Sequence, residues 1–368
     1  MTDGVAPFRR YRWWTRIVMV LVICIAAPVT PQLRALLPIE QTLMLLTSLI
    51  AACMIVGWRQ GGSPWRALFW VTLAIIMVAY QKPPSVASIG LIERGFAFES
   101  NNPYAALARG WTLLLAAAFG LVSVFSPAQS FISRALSTLA IAAGLGFVLV
   151  LISPGGPARI STTMATEYTR RVDESMAQLR NAASAARPRG EVSAEDADRW
   201  NQMVEDQTLD ISRSSAPLVP ALLALESLAA MAVAWSLYHR LNPRPIGPAL
   251  SRLRDFRFND QLVWGVAVGA SIAIVPAFSE AKNAGYNLLV FFGALYVLRG
   301  LGILGWISNG RVIRLFLAVA AWTLVVGIIA YKLGFLIALG APLIALAFSL
   351  GLGDTWVDWR RLLQPKVV

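Results

Sequence analysis

Charge and metal-binding side chains are what this sequence has least of. Only 14% of its 368 residues are charged, while 57% are hydrophobic. Soluble globular chains carry about a quarter of their residues as charges, and a water-borne body cannot hide so much apolar surface. Repeated bilayer-spanning segments are implied, and a soluble enzyme is excluded. One histidine and two cysteines, Cys24 and Cys53, cannot supply the three or four ligands of a zinc or iron site. Both cysteines fall inside apolar runs, where a free thiol behaves as a small hydrophobe rather than as half of a disulfide scaffold. The sequence has no His-Glu-x-x-His, no glycine-rich phosphate loop ending in Lys-Ser/Thr, no paired intramembrane aspartates and no serine with a usable histidine, since His239 sits at a span boundary. No cofactor is implied. The expectation is a non-enzyme, with general-acid work by Glu226 as the one chemistry left open.

What is present is a succession of apolar runs of about 17 residues or more, the length a bilayer requires. Ten candidates occupy 13–29, 42–58, 64–80, 107–125, 135–153, 217–238, 261–278, 286–306, 312–331 and 335–351. The first also fits a secretory signal, having a basic start and an apolar stretch ending at Ala26-Ala27. With the N-terminus cytoplasmic, the inside segments hold 17 Lys and Arg against 6 in the short outside segments. That asymmetry orients bacterial spans and places both ends inside. The net charge of +12 is then a topology signal and an attraction to anionic lipid. Nucleic acid is not an expected partner, because no continuous basic face is present. The expected fold is all-α: a polytopic helix bundle of about ten spans in the bacterial cytoplasmic membrane. It divides into an N-terminal membrane region (1–153), an extracytoplasmic hairpin (154–216) and a C-terminal membrane region (217–361).

The segment 154–216 breaks the pattern, carrying ten of the twenty acidic residues. It opens at Pro154-Gly155-Gly156-Pro157 and is meant for water. Ile160, Met164, Tyr168, Val172, Leu179 and Ala183 form one apolar stripe on a helix ending before Pro188. Ser193 and Asp196 resemble a capping box that starts a second helix with Trp200, Met203, Val204 and Ile211 on its apolar face. The two faces either pack on each other or offer a dimerisation or partner-docking surface.

An ionisable group at membrane depth costs several kcal/mol unless paired or wet, so such groups are where function is sought. Glu226 lies about nine residues into its span, roughly 14 Å at 1.5 Å per residue. Arg299 follows Asn287 by twelve residues, and its long stem could reach the same layer. The two could form an ion pair that fixes helix register or frame a polar pocket, or Arg299 could snorkel to the inner surface. Asn283 and Asn287, four apart on one helix face, would meet a solute entering from outside, with helix capping and interhelical bonding as the plainer use. The candidate solute ligands are therefore Glu226, Asn283, Asn287 and Arg299. Gly265, Gly269, Gly300, Gly302 and Gly305 predict close helix contacts.

On the inner side, 243–260 alternates Arg252, Arg254 and Arg257 with Leu250, Leu253, Phe256 and Phe258 and reads as an interfacial helix on anionic headgroups. Coupling to a cytoplasmic partner is its other use. Trp356 and Trp359 beside Arg360 and Arg361 form an aromatic and basic membrane belt.

The ordered segments Phe256-Arg-Phe-Asn-Asp-Gln-Leu-Val-Trp264, Asn287-Leu-Leu, Leu295-Tyr-Val-Leu-Arg-Gly-Leu301 and Gly351-Leu-Gly-Asp354-Thr-Trp-Val-Asp-Trp-Arg360 carry a resemblance. Together they are similar to the C-terminal region of the YybS-like family of predicted bacterial membrane proteins, over about 215–361. That family in turn is distantly similar to the substrate-binding membrane subunits of energy-coupling-factor vitamin transporters. The resemblance implies solute binding or transport, with a separate cytoplasmic ATPase as partner. The competing expectation is a non-transporting scaffold that holds envelope or division proteins.

Overall fold

A computed structural model describes residues 37–39, 41–79, 103–186, 216–242, 244–307 and 333–359, together with 199, 202 and 206. Described residues form α-helices and short 3₁₀ turns, with no strand among them. The helices are α1 (Thr42–Arg59), α2 (Pro64–Ala79), α3 (Pro103–Phe125), α4 (Phe131–Ile152), α5 (Gly156–Ala186), α6 (Val219–Leu241), α7 (Val263–Ile274), α8 (Lys282–Ile307) and α9 (Leu333–Gly353).

Local chemistry fixes their ends. Gly61 at φ +91° closes α1, in a left-handed conformation that costs a residue without Cβ little, and Pro64 opens α2 with a preset φ. Pro220 stands in the first turn of α6, and Pro276 pushes Val275 into an extended conformation that ends α7.

Among the described residues, five stretches are long and apolar enough to cross a membrane: Thr42–Arg59, Pro103–Phe125, Phe131–Ile152, Ala216–Leu241 and Pro276–Ile307. Pro64–Ala79, Asp260–Ile274 and Pro342–Gly353 are shorter apolar helices. Among the described residues, five long apolar helices and three shorter ones thus stand where ten runs were expected. The runs 13–29 and 312–331 lie outside the described residues. Trp65, Phe69 and Ile75 on α2, and Phe147 and Ile152 on α4, are exposed. Apolar side chains on the outside of apolar helices are what a lipid-facing surface requires.

The chain divides into two compact units, Met1–Gly120 with Ala142–Ser212, and Leu121–Ile141 with Arg213–Val368. In the first, α1 packs on α2, and a Cβ on Gly146 of α4 would touch Leu114 and Trp111 of α3. The helix α5 runs 31 residues, Gly156–Ala186, and the expected stop before Pro188 lies outside the described residues. The second half of the predicted hairpin falls almost entirely outside the described residues.

In the second unit α8 is the central helix, packed against α6, α7 and α9. Its glycines set the contacts. A Cβ on Gly300 would lie 1.7 Å from the Ala347 carbonyl oxygen, and one on Gly351 would lie 1.9 Å from that of Tyr296. On the other side, Gly269 and Gly285 bring α7 and α8 together backbone to backbone. The sequence expectation of close packing at Gly265, Gly269 and Gly300 is met.

The expected interfacial helix over 243–260 does not form. Its described residues make an extended strap interrupted only by 3₁₀ turns at Leu253–Asp255 and Asp260–Leu262. Pro245, Gly247 and Pro248 explain the difference, because prolines remove amide donors and Gly247 takes φ +68°. A side chain at Gly247 would strike the Pro127 carbonyl at 2.5 Å, so the strap passes directly against the turn between α3 and α4.

Candidate functional site

Arg299 is almost fully buried near the C-terminal end of α8. Its Nε donates to Asp354 Oδ2 at 2.9 Å, its Nη2 to the Asp354 carbonyl at 3.0 Å, and its Nη1 to Asp260 Oδ1 at 2.6 Å. The guanidinium also lies over the Phe258 ring, 5.3 Å from its centroid. Asp354, just past α9, is 1% exposed, whereas Asp260, just before α7, is 60% exposed. One cation thus ties together the strap, the central helix and the end of α9. The Trp359 amide donates to the other Asp354 oxygen at 3.3 Å, and Arg257 pairs with Asp358 at 2.8 Å. The cluster is a clamp with its donors directed at protein groups.

Arg299 therefore does not pair with Glu226, contrary to one sequence expectation. Twelve residues of helix separate it from Asn287 by about 18 Å, and its stem reaches the end of the bundle where two aspartates await it.

Asn287 is also engaged structurally. Its Nδ2 donates to the carbonyls of Pro217 and Asn283, each at 2.7 Å, and its Oδ1 accepts from the Ala221 amide at 2.8 Å. The first amides of a helix have no partner within it, and here a side chain from α8 serves α6 instead. Asn283 is exposed and contributes its backbone carbonyl. The four expected solute ligands are thus not gathered into one pocket: Asn287 caps a helix and Arg299 forms the clamp at the far end of α8.

Glu226 is half-buried on α6, ten residues beyond Ala216 and therefore about 15 Å along the helix. Among the described residues it is the one carboxylate within the five long apolar α-helices, because Glu280 precedes α8. Of the expected interface residues, Arg252, Arg254, Arg257 and Trp356 are exposed and Trp359 is half-buried. Arg360 and Arg361 lie outside the described residues.

Two buried cations escaped the sequence reading. Arg134, wholly buried, donates to the carbonyls of Ser126, Pro127 and Gln129 and stacks 4.1 Å from the Trp235 ring centroid. Trp235 in turn donates from Nε1 to the Pro248 carbonyl, and the Ile246 amide donates to the Tyr238 hydroxyl. Arg134 thus organises the strap, a role hidden in sequence because the carbonyls it binds are backbone groups. In the other unit, Arg171 on α5 bonds Glu167 at 3.0 Å and the carbonyls of Leu37 and Pro38 at 2.7 and 3.3 Å. Burial works to raise the Glu167 pKa, but Arg170 and Arg171 outweigh it and hold the carboxyl below its ordinary value. The i, i+4 spacing of Glu167 and Arg171 was the available signal; their apolar surroundings were not legible.

A family model described as "Predicted membrane protein (DUF2232)" matches residues 111–355. No curated protein and no solved structure matches the chain.

Proposed function

We propose that this chain, which belongs to the DUF2232 family of predicted membrane proteins, binds or moves a small polar solute through its C-terminal unit. The observation that carries the reading is Glu226, a carboxylate near the middle of an apolar helix. A charge at that depth costs several kcal/mol, and membrane proteins keep such groups mainly along substrate, ion or proton paths. The likeness of 215–361 to YybS-like proteins, and through them to substrate-capture subunits, lends further support. Since the sequence contains no phosphate-binding loop, energy would come from a separate ATPase. Purification in mild detergent followed by mass spectrometry of retained small molecules supplies the candidate solutes. The expected result is thermal stabilisation by one of them that is lost in Glu226→Gln. Identical stabilisation in the variant would remove Glu226 from the solute path.

A scaffold for envelope or division proteins is the second reading. It is favoured by the long polar helix α5, and by Asn287 and Arg299 being committed to packing. A scaffold would tolerate Glu226→Gln and lose its protein partners when 158–213 is deleted.

A further inference from the structure

The strap that replaced the expected helix leaves positive charge uncompensated where the membrane helices of the second unit end. Within 244–260 stand Arg244, Arg252, Arg254 and Arg257 against Asp255 and Asp260. Asp260 is taken by Arg299, Asp255 lies 3.6 Å from Arg254, and Arg257 holds Asp358. Arg244 and Arg252 are exposed, and no carboxylate lies within ion-pair distance of either among the described residues. The segments that flank the clamp also expose aromatic and aliphatic groups that water does not favour. Trp356 is 70% exposed, Trp264 on the first turn of α7 is 68% exposed, and Leu250 is also exposed. The pairs Arg299–Asp260, Arg299–Asp354 and Arg257–Asp358 fix the strap to the ends of α7, α8 and α9, and α6, joined to the start of α8 through Asn287, ends just before Arg244, so cations and rings stand at one end of the unit.

We infer that this end binds anionic phospholipid headgroups, with Arg244 and Arg252 each meeting a headgroup phosphate while Trp264 and Trp356 sit at the glycerol and carbonyl level. Each element fits its place. Guanidinium matches a phosphate fork, indole prefers the boundary between chain and headgroup, and apolar helices begin at Val263 and end at Gly353, at the border of the hydrocarbon. The site is independent of the solute reading, since neither Glu226 nor Asn283 takes part. A cytoplasmic protein with an acidic surface is the rival occupant.

The test is native mass spectrometry of the full chain exchanged into detergent containing equal phosphatidylglycerol and phosphatidylcholine. The wild type retains phosphatidylglycerol preferentially. Preference falls about fivefold for each of Arg244→Gln and Arg252→Gln, the effect of one surface cation, and falls further in the double variant. Lys282→Gln, at the opposite end of α8, leaves it unchanged, and unchanged melting temperatures show that all variants are folded. A wild type without lipid preference, a double variant that keeps it, or an equal loss with Lys282→Gln would overturn the assignment.

Discussion

Replacing Arg299 by Leu removes one cation from between two aspartates in unlike surroundings. Asp260 is 60% exposed and would regain water, so its share of the loss is about 0–1 kcal/mol. Asp354 is 1% exposed and cannot be hydrated where it stands. Stranding such a charge costs about 3–5 kcal/mol, a large part of a typical folding free energy. Removing both charges should recover most of the loss, because well-packed apolar pairs replace buried ion pairs at little cost. Thermal unfolding in detergent of Arg299→Leu, Asp354→Leu and the double variant gives the coupling directly. The structure requires coupling above about 2 kcal/mol for 299 with 354, and below about 0.5 kcal/mol for 299 with 226. Recovery of Arg299→Leu by Glu226→Leu, or additivity of the 299 and 354 changes, would refute the clamp.

The remaining predictions concern other links. Gly351→Ala places a methyl 1.9 Å from the Tyr296 carbonyl and should lower stability by about 1–3 kcal/mol or more, whereas Gly144→Ala, with open space around it, should be neutral by the same melting assay. Asn287→Leu removes the side-chain partner of the Ala221 amide and the Pro217 carbonyl and should cost about 1–3 kcal/mol, with faster hydrogen exchange at the start of α6 as its local signature. Because the Glu167 carboxyl is depressed in the folded chain, its stabilisation is present above the ordinary value of 4.5 and is lost as pH falls through the lower folded value. The deficit of Glu167→Gln in thermal unfolding should accordingly be full near neutrality and shrink on acidification; a deficit independent of pH would exclude the ion pair.

The helices were largely legible because apolar runs, glycines and prolines are local signals. Pro220 and Pro276 mark helix boundaries in the chain itself, and Gly269 and Gly300 sit where close helix contact was expected. The clamp was not legible. Its aspartates lie 39 and 55 residues from Arg299, outside the apolar runs in which a partner was sought, and counting depth along one helix cannot say which way a long side chain turns. The strap misled for a related reason: Leu250, Leu253, Phe256 and Phe258 gave a helical pattern, but all four follow a Pro-Arg-Pro-Ile-Gly-Pro run that prevents a helix from starting early. Asn287 was ambiguous in principle, since the amide that could receive a solute is equally suited to cap the start of α6.

The topology we propose, with the chain crossing the bilayer repeatedly, puts residue 185 outside the cytoplasm and residue 250 inside it. Fusions of a reporter that functions only in the cytoplasm, joined near residue 185 and near residue 250, test it most directly. The predicted result is an inactive fusion at 185 and an active one at 250; activity at both positions, or at 185 alone, would contradict it.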